Sequence, residues 1–141
     1  MAFNKKAAIE VGGCNPALGR VGDRLTSCED IEFTIKVQNK YGGNRLYIEP
    51  NAVVTHITPA KMCTFSRLIQ RAFWQGISEF KLVSFVGEEH VYNQRSFSQL
   101  TKHLLLAIIF VFVFRIDEVV YHLFQATANF GYTFQRAFVK D

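Results

Sequence analysis

The sequence predicts an α/β chain, and three observations carry that expectation. Residues 45–48 and 52–56 are short runs rich in β-branched and aromatic side chains, parted by a Pro50-Asn51 turn, and read as a strand pair. Residues 63–76 set Phe65, Leu68, Ile69, Ala72 and Phe73 on one face of a helix. Beyond residue 98, apolar and aromatic runs read as further helices.

From the start, residues 5–11 predict a turn or two of helix ended by Gly12-Gly13. Asn15-Pro16, Gly19 and Gly22-Asp23 follow, a density of turn residues that forbids long regular structure. Residues 26–37 are the stretch on which the rest is organised, with the adjacent acids Glu29 and Asp30 at its centre. Two readings stand side by side. Ser27 with Asp30 three residues on resembles a capping box, and acids in a first turn offset the positive end of the helix dipole. A carboxylate at a helix start below a glycine-rich loop can also serve as a general base.

Residues 29–40 conflict internally. Ile31, Phe33, Ile35 and Val37 alternate with polar residues, which is strand periodicity, whereas the acids before them and Gly42-Gly43 after them mark helix ends. His56 closes the second predicted strand, before Thr58-Pro59. A histidine there is a structural residue or, since strand ends carry ligands in open α/β sheets, a site residue. In the helix that follows, Gly76 reads as the stop, and Arg71 and Trp74 stand three apart on neighbouring turns. Residues 81–98 show no clear period and read as loop.

Residues 104–114 are an uninterrupted apolar run of eleven. Crossing a bilayer takes about 20, and Arg115, Asp117 and Glu118 close the run early. A buried or membrane-surface helix fits better. Val119, Val120, Leu123 and Phe124 form another stripe, and Phe130, Phe134 and Phe138 recur every fourth residue near Arg136 and Lys140. Aromatics flanked by cations suit a headgroup boundary; a helical hairpin packed in a core explains them equally.

Composition narrows the function classes. The chain of 141 residues is one domain's worth, and 49% apolar with 20% charged residues is globular rather than disordered. The formal charge of +4 is spread without a basic run, which argues against nucleic acid. Cys14, Cys28 and Cys63 are an odd count with no C-x-x-C spacing, against a disulfide framework or zinc site and in keeping with a reducing, cytoplasmic compartment. Met1-Ala-Phe-Asn-Lys-Lys opens no signal peptide, because no apolar stretch follows it.

Taken in order, several stretches resemble the C-terminal half of family 2 glycosyltransferases of GT-A fold, the bacterial exopolysaccharide type of cyanobacteria above all. Met1-Ala-Phe-Asn-Lys-Lys is similar to the segment after that family's glycine-asparagine turn. Val11-Gly-Gly-Cys-Asn-Pro-Ala-Leu-Gly-Arg resembles its GGFDPALGR loop, and Asp23-Arg-Leu-Thr-Ser-Cys-Glu-Asp-Ile-Glu its GEDTEL acceptor-site motif, with Cys28 where glycine is usual. Gly43-Asn-Arg-Leu-Tyr-Ile-Glu-Pro-Asn-Ala-Val-Val-Thr-His is similar to its strand pair, and Arg71-Ala-Phe-Trp-Gln-Gly-Ile-Ser to the helix closing over the acceptor. The likeness covers residues 1–82, and residues 83–141 in general character.

The resemblance implies a nucleotide-diphospho-sugar transferase fold in which 1–82 is the acceptor-binding part, 83–98 a linker and 99–141 a hydrophobic helical tail, at a membrane surface. It implies helix rather than strand for residues 29–40. It makes Asp30 the catalytic base and Glu29, Arg71 and Trp74 acceptor-binding residues, with His56 a metal or diphosphate ligand. The implied partners are a nucleotide-sugar donor and a saccharide or lipid-linked acceptor, and the implied cofactor is manganese or magnesium. The family places an Asp-x-Asp motif in an upstream nucleotide-binding half, and no Asp-x-Asp occurs in these residues. The expectation is therefore half of an inverting enzyme, inactive alone and peripheral to the cytoplasmic face of a membrane. The alternatives are a non-catalytic membrane-surface or interaction protein, or a degenerate remnant.

Overall fold

A computed structural model of the chain describes residues 2–20, 22, 24–42, 47, 49–87 and 95–138. Five helices run α1 Lys5–Glu10, α2 Glu29–Tyr41, α3 Phe65–Val86, α4 Phe97–Phe112 and α5 Ile116–Phe138, with one 3-10 turn at Ala60–Met62. About two thirds of the described residues are helical and none of them forms a strand of a sheet, so the α/β expectation is corrected to an all-helical architecture. The reason is visible at residues 52–56. A strand exists only by pairing. Here Ala52 and Val53 donate only to Glu49 and Asn51 in a local turn, and Val53, Val54 and Ile57 lie open to solvent. Residues 45, 46 and 48 of the other expected strand lie outside the described residues.

Helix α2 settles the conflict of periods. Phe33 and Ile35 are buried while Ile31 is exposed, so the alternation Ile31-Phe33-Ile35 does not mark one face. The alternation was the weaker signal because a helix can bury 33 and 35 together with 32. Lys36 pairs with Glu32 at 3.1 Å and donates to the Gly13 carbonyl at 2.9 Å. Lys40 donates to the Glu10 carbonyl, and the Tyr41 hydroxyl bonds the Glu10 carboxylate. The α1 end and its glycine turn are thereby tied along α2. Asn4 caps α1, accepting from the Lys6 and Ala7 amides.

The centre of the fold is the crossing of α3 and α5. Gly76 does not stop α3, which continues ten residues beyond it to Val86. Its role is close approach: a β-carbon on Gly76 would collide with the Ala128 carbonyl and stand 2.7 Å from the Tyr132 amide nitrogen. Gly131 is its counterpart, since a β-carbon there would collide with the Phe73 carbonyl. Ala72, Ala128 and Ala126 are all buried beside this contact. Phe73 packs at a tilt against Phe130 and Phe134, and Phe80 meets Tyr132 edge-on at 5.4 Å. Residues 81–86, read from the sequence as loop, belong to this helix, and Leu82 closes a small cluster with Leu18 and Cys28.

Helices α4 and α5 form an antiparallel hairpin, turned at Phe114, whose φ is 55°. Phe114 and Arg115 donate back to the Val111 and Phe110 carbonyls. His103 on α4 and His122 on α5 meet Nδ1 to Nδ1 at 2.8 Å, and His122 stacks on Phe110 at 5.3 Å. Only one of the two nitrogens can carry a proton in that contact. Burial holds the His103 imidazole below its usual range, and the charges of His122, Lys102 and Arg95 push the same way. A histidine with a lowered folded pKa is protonated first in the unfolded chain, so stability is lost as pH falls below about 6.5. Urea midpoints of the chain are expected to drop from pH 7 towards pH 5, and His103→Gln is expected to flatten that slope. An unchanged slope in the variant would show that the pair does not govern it.

Candidate functional site

The acids sit at the start of α2, on a loop pinned to α3. The residue before them, Cys28, is in the left-handed region at φ 85°, a conformation that favours glycine. It is also 2% exposed, and its burial pushes the thiol up to about 11, with Glu79, Asp30 and Glu29 adding in the same direction. A thiol so held is a packing group, not a nucleophile. The expected capping box does not form: Cys28 is the N-cap, without a side-chain bond, and Ser27 is turned away. The Ser27 amide donates to Ser78 Oγ at 3.0 Å, and its hydroxyl donates to Gln75 Oε1 at 3.3 Å. Ser78 Oγ in turn donates to the Trp74 carbonyl at 2.7 Å. Thr26 donates to the Gly19 carbonyl, which closes the preceding loop.

From Gln75 a buried polar relay crosses the protein. Gln75 Nε2 donates to Glu79 Oε1 at 3.0 Å, and Arg95 donates to both oxygens of the Glu79 carboxylate, Nη2 to Oε1 at 3.0 Å. Arg95 Nη1 donates to Gln125 Oε1 at 3.0 Å, and the neighbouring Ser96 amide donates to Asn129 Oδ1 at 3.1 Å. The ion pair is almost dry, and its bidentate fork satisfies both carboxylate oxygens. The loop bearing the acids, α3, the entry to α4 and α5 are thus joined by one chain of bonds.

The carboxylates differ. Asp30 is exposed, and its Oδ1 accepts from the Ile31 amide at 2.9 Å. Glu29 is half-buried, and its Oε2 is shut from solvent with no hydrogen-bond donor among the described residues. A buried oxygen without a donor is costly, and a hydroxyl or cation brought to it would relieve that. The pair therefore offers one accessible base beside one acceptor oxygen in want of a partner.

The other sequence-derived residues are placed unevenly. Trp74 is half-buried, edge-on to Phe73, and its turn of α3 is the one that Ser78 joins to the acid loop. Arg71 is exposed one turn earlier and lines a depression of about 360 Å³ with Met62, Cys63, Phe65 and Leu68. His56 is exposed, with Nδ1 3.2 Å from Thr58 Oγ1. Among the described residues neither Arg71 nor His56 bonds Glu29 or Asp30, and no three His, Cys, Asp or Glu side chains gather into a metal-holding group. A larger groove, about 1230 Å³, lies elsewhere, between α1, α2 and the segment bearing Tyr47, Glu49, Ala52 and Val54, lined also by Phe3, Phe33, Val37 and Tyr41. Sequence reading missed Ser27, Gln75, Glu79 and Arg95 as a set. The available signal was Gln75 and Glu79 at i and i+4 on one helix face, hidden by taking Gly76 as a stop.

Among proteins of known function, the chain is similar to a glycosyltransferase. The relative is the glucosyl-dolichyl phosphate glucuronosyltransferase of Haloferax volcanii, 29% identical over 79 residues. The match covers 56% of this chain and 25% of the relative, so the chain spans about a quarter of that protein's length. No family model and no solved structure matches it.

Proposed function

We propose that the chain carries the acceptor side of an inverting glycosyltransferase, of family 2 by its motifs, acting in polysaccharide or glycolipid assembly. The observation that carries the reading is the unlike acid pair at the start of α2: Asp30 accessible, Glu29 with an oxygen lacking a donor. The likeness to a glycosyltransferase supports it. Asp30 takes the proton of an acceptor hydroxyl, whose oxygen attacks the anomeric carbon of a nucleotide sugar. The bond from that carbon to the diphosphate breaks, and the diphosphate leaves with the electron pair. Glu29 accepts a hydrogen bond from the acceptor and orients it. Trp74 and Arg71 contact acceptor or diphosphate from successive turns of α3.

A manganese or magnesium ion belongs to this reading of the whole enzyme, where it would offset the charge of the departing diphosphate. The described residues do not fit such an ion on their own, because no three His, Cys, Asp or Glu side chains gather at His56 or elsewhere among them. His56 serves as a ligand only if groups outside the described residues complete the set. The reading puts the reaction in the cytoplasm, at the inner face of a membrane.

The test joins the chain to a nucleotide-binding half bearing the Asp-x-Asp motif, offers radiolabelled nucleotide sugars to membranes from cells that express the joined protein, and follows label into saccharide and lipid fractions. Incorporation that requires the protein and is lost on chelation is expected. Incorporation no greater than in membranes lacking the protein would favour a non-catalytic interaction protein.

A further inference from the structure

We propose that the outward face of α4 docks on a lipid surface, lying in its plane, with Lys102 at headgroup level at one end and the Arg115–Asp117–Glu118 cluster at the other. One face of α4 is committed to α5 through His103, Ala107 and Phe110. The opposite face leaves Leu105, Ile108, Ile109 and Phe112 more than half exposed, continued by Phe114 at 88%. No element among the described residues covers it. Such a contiguous apolar face marks an interaction surface.

The chemistry of the face selects hydrocarbon over protein. From Leu104 to Phe114 no side chain offers a hydrogen-bond donor or acceptor, and α4 contains no acid. Protein partners present surfaces that are close to half polar, and their polar groups would find nothing to pair with here. Lipid chains make no such demand.

Length and charge then fix the pose. No helix among the described residues is long and apolar enough to cross a membrane. The apolar helical stretch, residues 104–112, rises about 13 Å at 1.5 Å per residue, against about 30 Å of bilayer hydrocarbon. Entering end-on would drag either Lys102 or the Arg115 cluster into hydrocarbon. Arg115 is already bonded to Asp117 and Glu118 at the turn, a polar knot suited to the headgroup layer. Lying flat keeps both ends wet and buries only the apolar side, as interfacial helices do. Lys102 is exposed, with no carboxylate partner among the described residues, and is free to meet a lipid phosphate.

This inference rests on α4 alone and is tested apart from sugar transfer. The full chain is sedimented with vesicles of equal parts phosphatidylcholine and phosphatidylglycerol, and with phosphatidylcholine alone. Binding to both is expected, driven by the apolar face. The double substitution Ile108→Glu, Ile109→Glu should lower the bound fraction by on the order of tenfold or more, and Lys102→Glu should weaken binding to the anionic vesicles only. A second measurement keeps the apolar face intact: Ile108→Trp in a Trp74→Phe background, whose emission should shift to the blue when vesicles are added. Emission that does not shift, or wild-type chain left in the supernatant, would overturn the proposal. A dimer in solution that the double substitution breaks, with no vesicle binding, would assign the face to a second copy instead.

Discussion

Gly76→Ala should destabilise the protein by about 3 kcal/mol or more, although it adds only one methyl group to a good helix former. On an exposed helix the same change would stabilise by close to 1 kcal/mol, because glycine is the poorer helix residue. Here the added β-carbon meets backbone, the Ala128 carbonyl and the Tyr132 amide, not the end of a yielding side chain. Helix α5 has to move bodily away from α3, and the Phe73, Phe130 and Phe134 contacts open with it. Gly131→Ala meets the Phe73 carbonyl from the other side and should act alike. Both sites serve one contact, so the double variant should cost less than the two single losses added together. Denaturant melts of the three variants read this directly. A neutral or stabilising Gly76→Ala would mean that the helices do not cross at these glycines.

Arg95→Met is the second large effect, expected near 3–5 kcal/mol. Methionine keeps much of the apolar bulk and removes the guanidinium, which leaves the Glu79 carboxylate buried with Gln75 as its remaining donor. Glu79→Gln with Arg95→Met should regain part of the loss, since the pair is then neutral at both ends. The consequence reaches the acids through the same bonds. Glu79 holds Gln75, and Gln75 accepts from Ser27 next to the Cys28 turn. Arg95→Met should therefore loosen the loop before Glu29, seen as faster amide exchange at Ser27, whereas the remote Arg115→Met should leave it unchanged. Equal stability of wild type and Arg95→Met would show the pair to be solvated.

Much of this molecule could be read from its residues, and the failures have physical causes. The apolar run 104–114 gave α4 nearly to its end, because a continuous hydrophobic stretch followed by Arg115 is legible without tertiary knowledge. The Glu29–Tyr41 helix was legible from its end signals, against the alternation within it. Gly76 misled because glycine carries two meanings, chain termination and close packing, and only the neighbour across the crossing tells them apart. Residues 52–56 have strand composition, but a strand needs a partner and none is found among the described residues. The Glu79–Arg95 pair was illegible for a related reason: its halves lie on either side of a stretch with no clear period, and nothing local links them. Of the site, the acids stand together at the start of α2, and among the described residues the side chains of Trp74, Arg71 and His56 make no hydrogen bond to them.

The account turns on Asp30, and the rate of sugar transfer by Asp30→Asn tests it most directly. Asp30 is exposed and bonds only the adjacent Ile31 amide, so the substitution should leave the melting behaviour intact. In the nucleotide-sugar assay the rate should fall by about 10²–10⁴-fold, the usual worth of a positioned general base. Transfer by Asp30→Asn at the wild-type rate, in a protein that melts as the wild type does, would contradict the assignment of Asp30 as the base.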